Sequence, residues 1–458
     1  MIGCFSLARE TFDINFAKKK LLKTKKSLTK LNKKIIFFDD LITNDKIGEN
    51  AIKYFENIKC TKFIVFQSTF TDAKFISSFV KKFKKPLIFI SFKEKRSGGR
   101  LRLNSLCGVN LGLHALIKNK FFSNFIIYTN NEQSFSKEIL KFMRTNNNFT
   151  KKNYLKKINS KLVNKKIIKF KKPKLGLIGE RPEGFDTCDF NNEELKSKFN
   201  ANITKIRLKR LFNISSKVDI KKINQTKKNV SKKLKNINQV NQKELNKSIS
   251  LFHGLEKIQQ DQNIDAFAVR CWPEMFTEYG CASCGPMAMM NENKISSACE
   301  ADVLGSLTCN ILNQLNNKPS LLVDIVDVDE KDDTTVFWHC GLAPISMAEK
   351  NTPSVTVHSN RRKPLLHNFA FKSGEITIFR VSKSENKLKF IVMNGKVLKR
   401  KNSFSGTSGV ISLGKNTHKK IKNLFLSGLE HHVGFTYGDV LEDIKSLGKQ
   451  LKIPTYTI

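Results

Sequence analysis

The chain has 458 residues, of which 40% are hydrophobic, and a formal charge of +42. That length calls for two or three domains rather than one core, and the apolar content excludes a disordered chain. No apolar run approaches the roughly 20 residues that span a bilayer. Residues 1–13 (MIGCFSLARETFD) lack the basic start and long apolar stretch of a secretory signal, so a cytoplasmic protein without membrane contact is expected.

The charge is uneven. Residues 251–458 hold 25 Lys and Arg against 21 Asp and Glu, so nearly all of the excess lies in the first 250 residues. There the lysines run through almost every segment beside Asn, Ile and Phe, as drift toward A/T-rich codons produces. A nucleic-acid face is instead a patch interleaved with aromatics, so nucleic-acid binding is not expected. Of ten cysteines, Cys281 and Cys284 form the one C-x-x-C pair. With no second pair to complete a tetrahedral zinc site, this run reads as a small-residue turn beside a packed helix, ahead of a redox motif.

Short apolar runs open the chain's pattern, at 34–38 (KIIFF), 63–67 (FIVFQ), 86–91 (PLIFIS) and 125–129 (FIIYT), separated by polar helical stretches. Buried strands alternating with helices predict a parallel sheet covered on both faces. A basic linker, 165–174, precedes a new strand at 175–178 and the turn-rich GERPEGFD; its glycines do not match G-x-G-x-x-G, so no dinucleotide site is expected. Residues 205–247, rich in Lys, Asn and Gln, read as solvated helices or a mobile excursion. A strand at 266–269 delivers Arg270, Cys271 and Trp272, and alternation continues to Asp324. Beyond residue 344, GEITIFRVSK, LKFIVMNGKVL and SGVISLG are β-rich runs with no helical pattern between them, followed by LEHHVGFTYGD and a closing helix.

Four side chains carry the chemistry: Glu300 in SACEADV, Asp324 in LLVDIVDVD, His339 in VFWHCG and His432 in LEHHVGF. Two carboxylates and two imidazoles suit a divalent first-row metal that keeps positions open for an oxygen-rich substrate. Asp324, followed by Asp327, Asp329 and Glu330, reads as the carboxyl end of a buried strand. Glu300 stands near the start of a helix, and Asp302 reads as a first-turn charge complementing its dipole.

In LARETFD, LGLIGERPEGF, AVRCWPEM, CASCGPMAMM, SACEADVLGSLT, KPSLLVDIVDVD, FWHCGLAP and LEHHVGFTYGDVLEDIKSLGKQLKIP the chain resembles the L-fucose isomerase and L-arabinose isomerase family over most of its length. The resemblance implies an α/β fold of two Rossmann-like (flavodoxin-like) parallel-sheet domains and a β-rich, barrel-like C-terminal domain. The pattern above divides them at 1–165, 166–345 and 346–458, with the metal carboxylates on the second and the ligand histidine on the third. The resemblance further implies a manganese-type ion held by Glu300, Asp324 and His432. His339 matches a ligand of the arabinose branch and a nearby polar group of the fucose branch. Asp at 324 follows the fucose branch. Relatives form trimer-based assemblies, so a trimer or hexamer is expected, with Arg9 in the motif that reaches a neighbour's site.

The implied reaction interconverts an aldose and a ketose through a cis-enediol, Glu300 and Asp324 exchanging the roles of base and acid while the ion stabilises charge. His431 or a backbone carbonyl would orient His432. Trp272 would wall the sugar and Arg270 would bond its distal hydroxyls. The expected substrate is a deoxy-sugar or pentose such as L-fucose or D-arabinose. Arg96, Arg100 and Arg102 motivate an anionic sugar such as sulfoquinovose as the alternative. A catalytically silent sugar-binding relative is a third reading.

Overall fold

Alternation within each short apolar run splits it between two cores. In the strand Lys62–Gln67, Phe63 and Val65 pack on one face while Ile64 and Phe66 pack on the other. A strand buried on both faces needs helices on both, which is why such runs carry almost no polar residue. The computed structural model describes every residue except 130, 146–148, 164, 165 and 351, so the expected boundary at 165 falls outside the described residues.

Five parallel strands form the first sheet, in the order Ile35–Ile42, Ile2–Leu7, Lys62–Gln67, Leu87–Phe92, Asn124–Tyr128. This flavodoxin-like order puts a switch point beside Ile2–Leu7, where chain connections diverge and a crevice opens at the carboxyl ends. A second parallel sheet has the order Ser296–Ala298, Ala266–Val269, Lys174–Ile178, Asn202–Ile206. The segment read as solvated helices or a mobile excursion holds the helices Leu208–Ser216 and Ile220–Ser231 and the start of Gln242–Gln262.

Among the described residues, a mixed sheet of ten strands takes most of the C-terminal region. At its centre Ser320–Asp329 lies antiparallel between Thr334–His339 and His432–Tyr437. Asp324 is therefore not the last residue of a strand in a parallel sheet. It stands mid-strand in the large sheet, directly opposite His432 on one side and Trp338 on the other. The β-rich segment is also interrupted by a helix, Thr417–Leu426, which buries Ile421, Leu424 and Phe425.

Two helices join the layers. Ser105–Lys118 is buried nearly all round, the pattern of a helix enclosed by protein on every side. Its Asn110 donates to the Glu430 carbonyl at 3.3 Å, and its His114 ring bonds the Gly428 carbonyl at 2.8 Å. Val303–Asn316 packs between the second sheet and the large one, closely enough that a Cβ at Gly434 would stand 2.8 Å from Thr308. Both parallel sheets thus aim carboxyl ends at one face of the large sheet.

Candidate active site

The cavity where these ends meet is lined by residues from all three sheets. Arg9 and Phe12 follow the first strand, Phe70 the third, and Leu101 and Asn104 the fourth of the first sheet; Cys271 and Trp272 follow Ala266–Val269, and Cys299 and Glu300 follow Ser296–Ala298. Asp324, Trp338, His339, His431 and His432 come from the large sheet, and His358 and Arg361 from a loop beside it. Glu300 has φ +56, a left-handed conformation a non-glycine residue rarely holds. Such strain, roughly 1–3 kcal/mol, persists where the surroundings over-determine it. Here Trp272 Nε1 donates to Glu300 Oε1 at 3.1 Å and His431 Nε2 lies 2.9 Å from Oε2.

His432 is the hinge of the constellation. Its Nδ1 is 3.0 Å from Asp302 Oδ2, and an ionised carboxylate only accepts, so Nδ1 carries the proton and the Nε2 lone pair faces the cavity. Nε2 lies 3.5 Å from Asp324 Oδ1 and 3.9 Å from Glu300 Oε2. Asp302 is fixed in turn by Arg380, whose Nη1 and Nη2 donate to its two oxygens at 2.8 and 3.0 Å. Asp302 also caps the helix Val303–Asn316 through Gly305 N. Asp302 thus stands at the N-cap, one position before the first turn, and it is Asp302, not His431, that orients the His432 ring. His431 instead bridges Glu300 and the Thr187 hydroxyl, 2.7 Å from its Nδ1.

The electrostatics separate the two carboxylates. Burial works to raise both, but at Glu300 the His431 hydrogen bond and the charges of His431 and His432 outweigh it and hold the carboxyl at about 2. At Asp324 burial prevails and the carboxyl titrates above its ordinary range. Burial would lower His431, yet the bond to Glu300 carries it upward; burial and the neighbouring His431 lower His432. Asp302 is held well below the usual carboxylate range, burial being outweighed by Arg380 and His432.

One atom in this set lacks a partner. Asp324 Oδ1 is buried and makes no hydrogen bond. An orphaned carboxylate oxygen is costly unless a cation completes it. With the Nε2 lone pair of His432, 3.5 Å away, and Glu300 Oε2, 3.9 Å from that nitrogen, it makes a donor set whose chemistry suits a divalent ion.

The remaining expected site residues divide. Trp272, His339 and Arg9 line the cavity. Arg9 also pairs with Asp72 at 2.8 Å and stacks 4.9 Å from the Trp272 ring centroid. Arg270 does not reach the cavity: Nε bonds Glu274 at 2.8 Å and Nη1 the Glu180 carbonyl. Arg96 is held by Asp327 and Thr334, Arg100 by Asn360, and Arg102 by Asp13, and none of the three lines the cavity. Cys284 starts a helix and its thiol lies 3.2 Å from Cys340, not against Cys281.

Arg361 is the residue the sequence does not announce. Half-buried, it lies 5.5 Å from the Trp272 ring and 5.1 Å from Phe276. Among the described residues no carboxylate pairs with its guanidinium. His358 anchors its loop, Nδ1 accepting from the amides of Asn360 and Arg361 at 3.2 and 3.3 Å. Burial and the nearby Arg361 keep that imidazole neutral, its pKa lowered to about 3.

Comparison with known proteins decides the family. Residues 3–174 match the fucose/sulfoquinovose isomerase N-terminal domain, and residues 367–458 the L-fucose isomerase C-terminal domain. Over 455 residues, 98% of this chain and 97% of the relative, the sequence is 31% identical to the sulfoquinovose isomerases of Priestia megaterium and Priestia aryabhattai. It belongs to the fucose/sulfoquinovose isomerase family. A sulfoquinovose isomerase from Clostridium sp. is 26% identical over 450 residues, 97% of this chain and 96% of that one. The chain is an aldose–ketose isomerase, as the resemblance implied, and its buried donor groups suit the metal dependence of fucose isomerases. No helix of the described residues is long and apolar enough to cross a membrane.

Proposed function

We propose that this isomerase acts on an anionic aldose of the sulfoquinovose type and converts it to the corresponding ketose. The observation that carries this reading is Arg361, a half-buried cation without an acidic partner in the cavity that holds Glu300, Asp324 and His432. Desolvating an unpaired guanidinium is unfavourable unless an anion returns the interaction, and its planar fork suits sulfonate oxygens. Arg361 replaces Arg96, Arg100 and Arg102 as the basis for the anionic substrate. The relatives' names favour it over a neutral deoxy-sugar or pentose.

In this reading Glu300, Asp324 and His432 hold a divalent ion, manganese by the resemblance, which would supply charge stabilisation at the sugar oxygens. Trp272 fixes one Glu300 oxygen through its indole N–H and offers its ring to the carbon face of the substrate. Asp302 keeps His432 in the tautomer that leaves Nε2 free. Glu300 and Asp324 flank the C1–C2 unit and carry the proton between the carbons. Phe12, Phe70 and Trp338 exclude water so that the proton is retained. His339 contacts the substrate from the large sheet.

The division into domains 1–165, 166–345 and 346–458 belongs to this proposal with one amendment, that the strand bearing Asp324 joins the third unit. The pairing of Lys389–Leu398 with Thr407–Ser412 as well as with Gly374–Ser382 supports a barrel-like closure there. Assembly as a trimer or hexamer rests on the resemblance alone.

Arg361→Gln tests the substrate class. The expected result is a KM for sulfoquinovose raised about ten- to hundredfold, from about 1.5–3 kcal/mol per hydrogen bond to a charged group, with kcat changed far less. Equal effects on sulfoquinovose and on L-fucose would contradict an anion-binding role.

A further inference from the structure

The cavity contains a second donor set that overlaps the first and differs from it in softness. Cys299 Sγ lies 3.0 Å from His339 Nε2 and 3.3 Å from His432 Nε2, and these three ligand atoms lie within 4.8 Å of one another. A tetrahedral ion with metal–sulfur bonds of about 2.3 Å and metal–nitrogen bonds of about 2.0–2.1 Å sets sulfur–nitrogen separations near 3.5 Å. The two sulfur–nitrogen separations thus lie within about half an ångström of that spacing. Asp324 Oδ1, 3.5 Å from His432 Nε2, lies outside this cluster of three.

We infer that Cys299, His339 and His432 form a site for a thiophilic divalent ion such as zinc, and that its occupation inhibits the enzyme. Ligand softness makes the choice of ion. Two carboxylates and one imidazole favour a hard ion, whereas a thiolate and two imidazoles favour zinc over manganese. Both sets need His432, so the two ions exclude each other. On binding, the thiol proton passes to solvent and the sulfur donates a lone pair to the ion. Occupation withdraws the His432 imidazole from Glu300 and Asp324, which removes the hard ion that the reaction uses. His339, which the isomerase reading uses only for substrate contact, acquires a definite role in selecting the inhibitor.

This inference rests on His432 as a metal ligand, and the test separates the two. The full chain, freed of metal by chelation and kept without added thiols, is titrated with cobalt or cadmium and followed in the near ultraviolet. A thiolate-to-metal charge-transfer band saturating at one ion per chain is expected, absent in both Cys299→Ser and Cys299→Ala. Manganese binding, followed by electron paramagnetic resonance, persists in those variants. Zinc should inhibit manganese-dependent turnover of the wild type, reversibly on adding chelator and manganese, and Cys299→Ser should raise the zinc needed at least tenfold. Bound metal without the band, or unchanged zinc sensitivity in Cys299→Ser, overturns the soft site and leaves the isomerase reading standing. The band without any sugar turnover supports the soft site and counts against the isomerase reading. Wild-type protein that binds neither cobalt nor manganese overturns both.

Discussion

Nδ1 of His432 lies 3.0 Å from Oδ2 of Asp302, although 130 residues separate them in the chain. Asp302 reaches that ring because it ends the turn before Val303–Asn316 and is clamped by Arg380, which is almost fully buried. A carboxylate on the far nitrogen of a ligand histidine fixes the ring and raises its basicity.

Asp302→Asn should therefore weaken manganese binding by about 10–100-fold. It should also destabilise the fold by about 3–5 kcal/mol, because Arg380 is left as a buried charge without a full partner. Metal titration and urea denaturation of the same variant check both numbers. Unaltered affinity would mean that capping is the whole role of Asp302.

Gly305 tests the same clamp from its other side. A Cβ there would stand 2.5 Å from Asp302 Oδ2 and 2.9 Å from Arg380 Nη1, neither of which is free to move. Gly305→Ala is expected to cost about 1–3 kcal/mol in denaturant unfolding and to weaken metal binding in parallel. A variant as stable as wild type would show that the clamp has slack.

Trp272→Phe keeps the aromatic wall and removes the N–H that holds Glu300 Oε1. Turnover should fall about tenfold while the KM for sugar changes little, since about 1.5 kcal/mol of hydrogen bonding is lost at the carboxylate rather than at the substrate. A rise in KM with unchanged kcat would assign Trp272 to sugar binding alone.

Asp329 links pH to stability at the seam between the first sheet and the large one. Burial opposes its charge, but the bond from Lys93 at 2.5 Å and the amide of Asp332 hold the carboxyl at about 2. That is below the roughly 3.9 of an unfolded chain, so the pair stabilises the fold above pH 4 and loses this contribution as pH falls toward 2. The Tm difference between wild type and Asp329→Asn should be full at pH 7 and shrink between pH 4 and pH 2. A difference constant across that range would contradict the pairing.

Most strands of the first sheet are legible because burial on both faces leaves unbroken apolar runs, as in Lys62–Gln67. The strand Ile2–Leu7 is not, because Gly3, Cys4 and Ser6 dilute it, though it stands next to the switch point. Asp324 reads as a strand end because acids follow it. The strand in fact runs on to Asp329, since Arg96 and Lys93 neutralise Asp327 and Asp329. Those same pairs withdraw Arg96 from substrate recognition. The helix Thr417–Leu426 hides among lysines and lies between Gly414 and Gly428, its buried apolar residues confined to Ile421 and the run Leu424, Phe425 and Leu426. The tie between Asp302 and His432, and the lack of a partner at Arg361, are relations between distant segments, and no local pattern carries them.

The most direct test of the central claim is isomerase turnover by the manganese-loaded protein, measured side by side on sulfoquinovose, L-fucose and D-arabinose, with Glu300→Gln as control. The account predicts turnover of sulfoquinovose in preference to the neutral sugars, reduced at least 100-fold by the substitution, within the range for loss of acid–base catalysis. Preferential turnover of L-fucose or D-arabinose, or activity that survives Glu300→Gln, would contradict it.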